Sequence, residues 1–96
     1  MHRLIQVKNI IQKIKPDLLS RYHVSTIGIF GSVARGEDEE FSDIDLIVDF
    51  SEPIGIEFIE LADFLEDALN AKVDLVSKRG IKHEYLNFIK DEIIYV

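Results

Sequence analysis

One stretch constrains this chain more than any other: Gly31-Ser32-Val33-Ala34-Arg35-Gly36-Glu37-Asp38-Glu39-Glu40-Phe41-Ser42-Asp43-Ile44-Asp45. It joins two apolar runs that read as strands. The first, Val24 to Phe30, is β-branched and aromatic and stops at Gly31, as a buried strand does before a turn. The second, Asp43 to Phe50, alternates strictly. Strand side chains alternate between faces, so Ile44, Leu46, Val48 and Phe50 share one face and Asp43, Asp45, Ile47 and Asp49 the other. The first face is core. The second begins with two carboxylates.

The flanking segments supply what such strands need. Leu4, Val7, Ile11, Ile14 and Leu18 recur at helical spacing, with Lys8, Lys13 and Lys15 turned outward. Pro16 either kinks this helix or starts a second short turn. Ser32 to Arg35 forms a short helical turn, and Gly36 to Ser42 an acidic loop in which Glu37 to Glu40 are a solvated flank. Gly55 to Asn70 is the strongest helix, with Phe58, Leu61, Ala62, Leu65 and Leu69 buried and Asn70 suited to its end. Lys72 to Ser77 is a third strand, with Asp74 opposite Val73 and Leu75. A last helix, about residues 82–92, is expected to turn Tyr85, Leu86, Phe88 and Ile89 inward, and residues 93–96 could form an edge strand. The order implies a small sheet with helices against one face and the other partly open, with strand order and direction left undetermined by the pattern. No linker or repeat interrupts it, so residues 1–96 are read as one domain.

Composition narrows the chemistry. With 18 acidic against 11 basic residues the net charge is −7, which disfavours direct nucleic-acid binding. A nucleoside triphosphate remains open, because a divalent cation can offset both sets of negative charge. There is no cysteine, so thiolate metal sites and disulfides are excluded and a cytoplasmic location is expected. The apolar runs fall far short of the ~18 residues of a membrane span, and residues 1–6 lack the apolar core of a signal peptide.

Four places can carry chemistry. Gly31 allows a sharp turn and a close backbone approach to a ligand; the Ser32 hydroxyl and the free N–H groups of the next turn can donate to a phosphate. Alone, Gly-Ser is a common strand-to-helix turn, and it matches neither a Walker loop nor a dinucleotide fingerprint. Asp43 and Asp45 lie roughly 6.5–7 Å apart along one strand face, a spacing from which two carboxylates can converge on a hard cation such as Mg²⁺. Without one they repel, by about 3 kcal/mol in a partly enclosed site. The plain alternative is a strand cap and an exposed acid. Asp74 fits poorly in an apolar strand; beside the second strand it would complete a trio suited to two metal ions. Arg35 can reach a phosphate or pair with a loop acid. Lys78 and Arg79 read as an exposed basic turn, His83 and Glu84 as surface, and Asp49, ~13 Å along the strand from Asp45, as outside the site.

The combination is more specific than its parts. Gly31-Ser32, then Asp43-x-Asp45, then an aspartate in a later strand resembles the nucleotidyltransferase superfamily related to polymerase β. The short chain, Ala34-Arg35-Gly36 and Ser42-Asp43-Ile44-Asp45-Leu46 are similar to its minimal branch. The resemblance is strong over residues 24–77 and loose beyond. It implies an α+β, two-layer fold with a small mixed sheet like the polymerase β palm, helices packed on one face. It also implies an antitoxin that moves AMP from ATP to a tyrosine of a helical HEPN ribonuclease toxin encoded beside it. By the family pattern Asp43, Asp45 and Asp74 are catalytic and bind Mg²⁺, with Gly31 and Ser32 on the triphosphate. The chain has no room for an acceptor domain, which fits an acceptor brought by a protein partner. Two other readings stand beside this one: an antitoxin that only occludes its partner, suggested by the apolar tail Ile93–Val96 and the acidic surface, and nucleotide transfer to a small molecule.

Overall fold

The computed structural model describes residues 3–96. Its elements run α1 (Leu4–Tyr22), β1 (Val24–Phe30), α2 (Gly31–Arg35), β2 (Ile44–Phe50), α3 (Glu57–Leu69), β3 (Val73–Ser77), α4 (His83–Ile89) and β4 (Ile94–Tyr95). The sheet order is β3-β2-β1-β4. β1 is antiparallel to both β2 and β4, while β2 and β3 are parallel and joined through α3. The mixed sheet and its helices are those expected.

Pattern explains the core. Val7, Ile11 and Leu18 from α1 and Leu61, Leu65 and Leu69 from α3 bury against Ile44, Leu46, Val48 and Phe50. On β1, Val24 and Ile27 both join this core although they are three residues apart. The register shift between Val24 and Thr26 makes this possible, since an extra residue restores the facing side. α1 continues through Pro16, which lies on its exposed side. No second helix starts there: proline's missing donor strands a carbonyl where water can reach it. His23 and Asn70 close α1 and α3 in the left-handed conformation, with φ of 58° and 50°.

The opposite face is not open along its length. Phe30, Ile47 and Ile89 form a second small cluster, with Leu86 and Ile93 packed on it. α4 therefore covers part of this face. Only one side of α4 reaches the sheet: Ile89 is buried, whereas Phe88 is 82% exposed and Tyr85 45% exposed. The inward placement expected for Phe88 does not hold, because a seven-residue helix lying against a sheet face has one contact stripe.

The acidic loop also departs from expectation at one residue. Asp38 is buried, and it accepts hydrogen bonds from the Arg3 backbone N–H at 3.2 Å and from Arg3 Nε at 3.3 Å. Arg3 also donates to the Ser42 carbonyl, and the Glu39 N–H to Ser42 Oγ at 2.8 Å. The loop before Asp43 is thus tied to the start of α1. Burial pushes the Asp38 carboxyl upward, but backbone N–H groups and Arg3 outweigh it and hold the group below its ordinary value. A depressed carboxylate stabilises the fold above its unfolded pKa and loses that contribution as pH falls. Asp38→Ala is expected to cost about 2 kcal/mol at pH 7, with the gap to wild type closing in acid. Urea unfolding at both pH values measures this, and equal stability at neutral pH would refute it.

Candidate active site

The site is built where β1 ends and β2 begins. Antiparallel pairing sets Phe30 opposite Asp45, and parallel pairing sets Asp45 opposite Asp74. The turn after Phe30 therefore lies beside the carboxylates, although 13 residues separate Gly31 from Asp43 on counting both ends. Gly31 has φ +72° and is buried. A Cβ built there would lie inside the Asp45 carboxylate, 2.9 Å from its Cγ. Only glycine provides both the left-handed backbone and the approach. Gly36, also left-handed, closes the five-residue α2.

Gly31, Ser32, Arg35 and Asp45 line one cleft of about 280 Å³ with Phe30, Tyr85, Phe88, Ile89 and Glu92. Asp74 adjoins Asp45 and is exposed. Asp43 is exposed just before β2. The Asp45 carboxyl is pushed up to about 6, first by burial, then by the charges of Asp74 and Asp43; Arg35 partly offsets this. The charges of Asp74 and Asp43 thus both bear on Asp45 at this sheet end. Among the described residues, however, no three acidic or imidazole groups converge closely enough to hold a metal ion as they stand. Asp45 and Asp74 face each other; Asp43 would join them by turning its exposed side chain inward.

The remaining candidates fall as follows. Arg35 pairs with Glu37 at 2.8 Å and with Glu92 at 3.2 Å, so it has acidic partners from the loop and from the C-terminal segment. Asp49 is paired with Arg79 at 3.1 Å and is cut off from Asp45 by buried Ile47. Lys78 lies over the Tyr95 ring. Two residues of the cleft were not legible in the sequence. Tyr85 stands edge-on to Phe30 at its rim, and its hydroxyl is pushed up by burial and by Asp45, Asp74 and Glu92. Glu92 accepts a hydrogen bond from the Gly31 N–H at 2.6 Å. Both reach the cleft through tertiary packing, for which local pattern holds no signal.

The nucleotidyltransferase domain model matches residues 11–96 of this chain. The chain belongs to that family. A Methanocaldococcus jannaschii relative, provisionally named a protein adenylyltransferase, is 43% identical over 98 residues and covers all of both chains. The protein adenylyltransferase MntA of Thermococcus cleftensis is 41% identical over 97 residues, covering 100% of this chain and 98% of its own. Among solved structures, one provisionally described as a minimal nucleotidyltransferase superposes with a TM-score of 0.81 at 34% identity, over 98% of this chain and 95% of that one. A complex of a tri-AMPylated Shewanella oneidensis HEPN toxin with its MNT antitoxin gives 0.71 at 26% identity, over 96% and 70%. A toxin–antitoxin structure with AMP-PNP gives 0.65 at 35% identity, over 77% and 59%. Family membership makes this an enzyme of nucleotidyl transfer, and the mixed sheet is the family's fold. No described helix is long and apolar enough to cross a membrane.

Proposed function

We propose that this nucleotidyltransferase is an antitoxin that moves AMP from ATP to a tyrosine hydroxyl of a cognate HEPN ribonuclease toxin, with Mg²⁺. The observation that carries the reading is the approach of Gly31 to Asp45. It unites a turn able to hold phosphate with an acid able to hold a cation. Support for the protein acceptor comes from relatives of matching length that are named protein adenylyltransferases. Support for the toxin and the nucleotide comes from the HEPN–MNT and AMP-PNP complexes.

In this reading the Gly31 N–H, the Ser32 hydroxyl and Arg35 hold the triphosphate and line its α-phosphate up with the incoming hydroxyl. Asp43, Asp45 and Asp74 are an all-oxygen donor set, which suits Mg²⁺; two ions would be held there. Bound Mg²⁺ would offset the charge of the triphosphate and of the departing pyrophosphate. The acceptor oxygen forms a bond to the α-phosphorus, the bond to pyrophosphate breaks, and the hydroxyl proton passes to Asp74. The exposed aromatics Phe41 and Phe88 favour a second reading, neutralisation by occlusion alone.

One experiment separates the two. The protein is incubated with its neighbouring-gene partner, Mg²⁺ and α-labelled ATP, and intact mass is read on the partner. Adenylyl gain on a tyrosine is expected with wild type and not with Asp43→Asn plus Asp45→Asn. Absence of transfer by wild type, or undiminished transfer by the variant, sinks the enzymatic reading. Full protection of cells by the variant would favour occlusion.

A further inference from the structure

Glu92 sits on the donors that the proposed function gives to phosphate. Its Oε2 accepts from the Gly31 N–H at 2.6 Å and from Arg35 Nη1 at 3.2 Å, and its Oε1 from the same Arg35 nitrogen at 3.3 Å. This is a carboxylate held as a phosphate would be, by one backbone donor and one guanidinium. The placement is fixed from both sides. The Glu92 N–H donates to the Ile89 carbonyl at 2.9 Å, and two residues on, Ile94 pairs with Ile29 of β1. The side chain is 22% exposed and shares its cleft with Asp45. An acid beside another acid is electrostatically poor unless strong donors hold it. Here those donors are the ones a triphosphate needs.

We propose that Glu92 sets the nucleotide affinity of this site by occupying its anion seat until a triphosphate displaces it. The inference rests on the phosphate role of Gly31 and Arg35. Two anions cannot share these donors, so ATP must expel the carboxylate before its own oxygens bind. Removing the charge removes that competition. It leaves Gly31, Asp45 and the sheet untouched.

Calorimetry on the full chain with Mg²⁺ tests this with three probes: a non-hydrolysable ATP analogue, AMP and adenosine. Glu92→Gln is expected to tighten the ATP analogue about tenfold, since like-charge juxtaposition is relieved. AMP should gain less, and adenosine nothing. Glu92→Ala, checked for an unchanged melting temperature, should follow the same order. Weaker binding of the analogue by both folded variants would make Glu92 a positioning residue for Arg35 and overturn the proposal. So would an equal gain for adenosine. Equal binding of the analogue by wild type and variants would remove the competition alone, whereas no binding by any of them would remove the phosphate site on which it rests.

Discussion

Asp45→Asn is expected to lower adenylyl transfer by about a thousandfold, the scale lost with one principal electrostatic stabiliser of a charged transition state, and at the same time to make the ligand-free protein more stable above pH 6. The two effects have one cause. Asp45 carries its charge between Asp74 and Asp43 in a half-buried place, and its pKa stands at about 6 against an ordinary ~3.9. Between those values the folded chain keeps a proton that the unfolded chain has lost. Stability therefore falls as pH rises from about 4 to 6 and stays lower beyond. The amide carries no charge at any pH and escapes this loss. After discounting for solvent screening, the gain at pH 7.5 is about 1 kcal/mol, a rise in Tm of roughly 4–8 °C for a domain of this size. At pH 4 the variant and wild type should melt together. Scanning calorimetry at both pH values with a parallel transfer assay reads the pair. A variant that is inactive but no more stable at neutral pH would mean that the carboxylates do not strain one another. A variant that stays active would remove Asp45 from the catalytic set.

Gly31→Ala should abolish most of the activity by a different route. A methyl at this position meets the Asp45 carboxylate and the backbone holds φ +72°. The left-handed conformation alone costs a non-glycine residue about 1–2 kcal/mol. The Asp45 side chain must also swing away, and with Asp45 in the proposed catalytic set its misplacement costs on the order of a hundredfold in rate. The two residues are therefore coupled. In a double-mutant cycle, Gly31→Ala should destabilise an Asp45→Ala chain less than it destabilises wild type, because the carboxylate clash is gone and only the backbone cost and a tight 3.2 Å contact with the remaining Cβ are left. Additive effects would show that the close approach does not matter energetically.

Much of this was legible in the sequence because it rests on short periods. The alternation of Ile44 to Phe50 gave the core face of β2, and the repeats in α1 and α3 gave the helices that cover it. Gly31, Asp43 and Asp45 were singled out by their combined spacing, since each alone has an ordinary structural reading, and Asp74 because an acid fits poorly in an apolar strand. What pattern could not supply was contact across long separations. Glu92 lies 61 positions from Gly31, and Asp38 lies 35 from Arg3. Asp38 looks like its solvated neighbours Glu37 and Glu39, and only the arginine that meets it marks it out. Phe88 misled for the opposite reason: an apolar residue at helical spacing reads as core, and here it rims the cleft.

β2 divides its own residues by parity. Even positions from Ile44 to Phe50 face α1 and α3, while the odd positions face the other side, where Asp45 lines the cleft, Ile47 packs under α4 and Asp49 pairs with Arg79. The strand is in effect two interleaved alphabets, one spelling foldability and the other chemistry. A library that varies residues 43 and 45 would explore reaction and cation preference on a scaffold whose main core it never enters. One that varies residues 44, 46 and 48 would explore folding while leaving the acids in place. A domain this small can thus be retuned at its business end without being rebuilt.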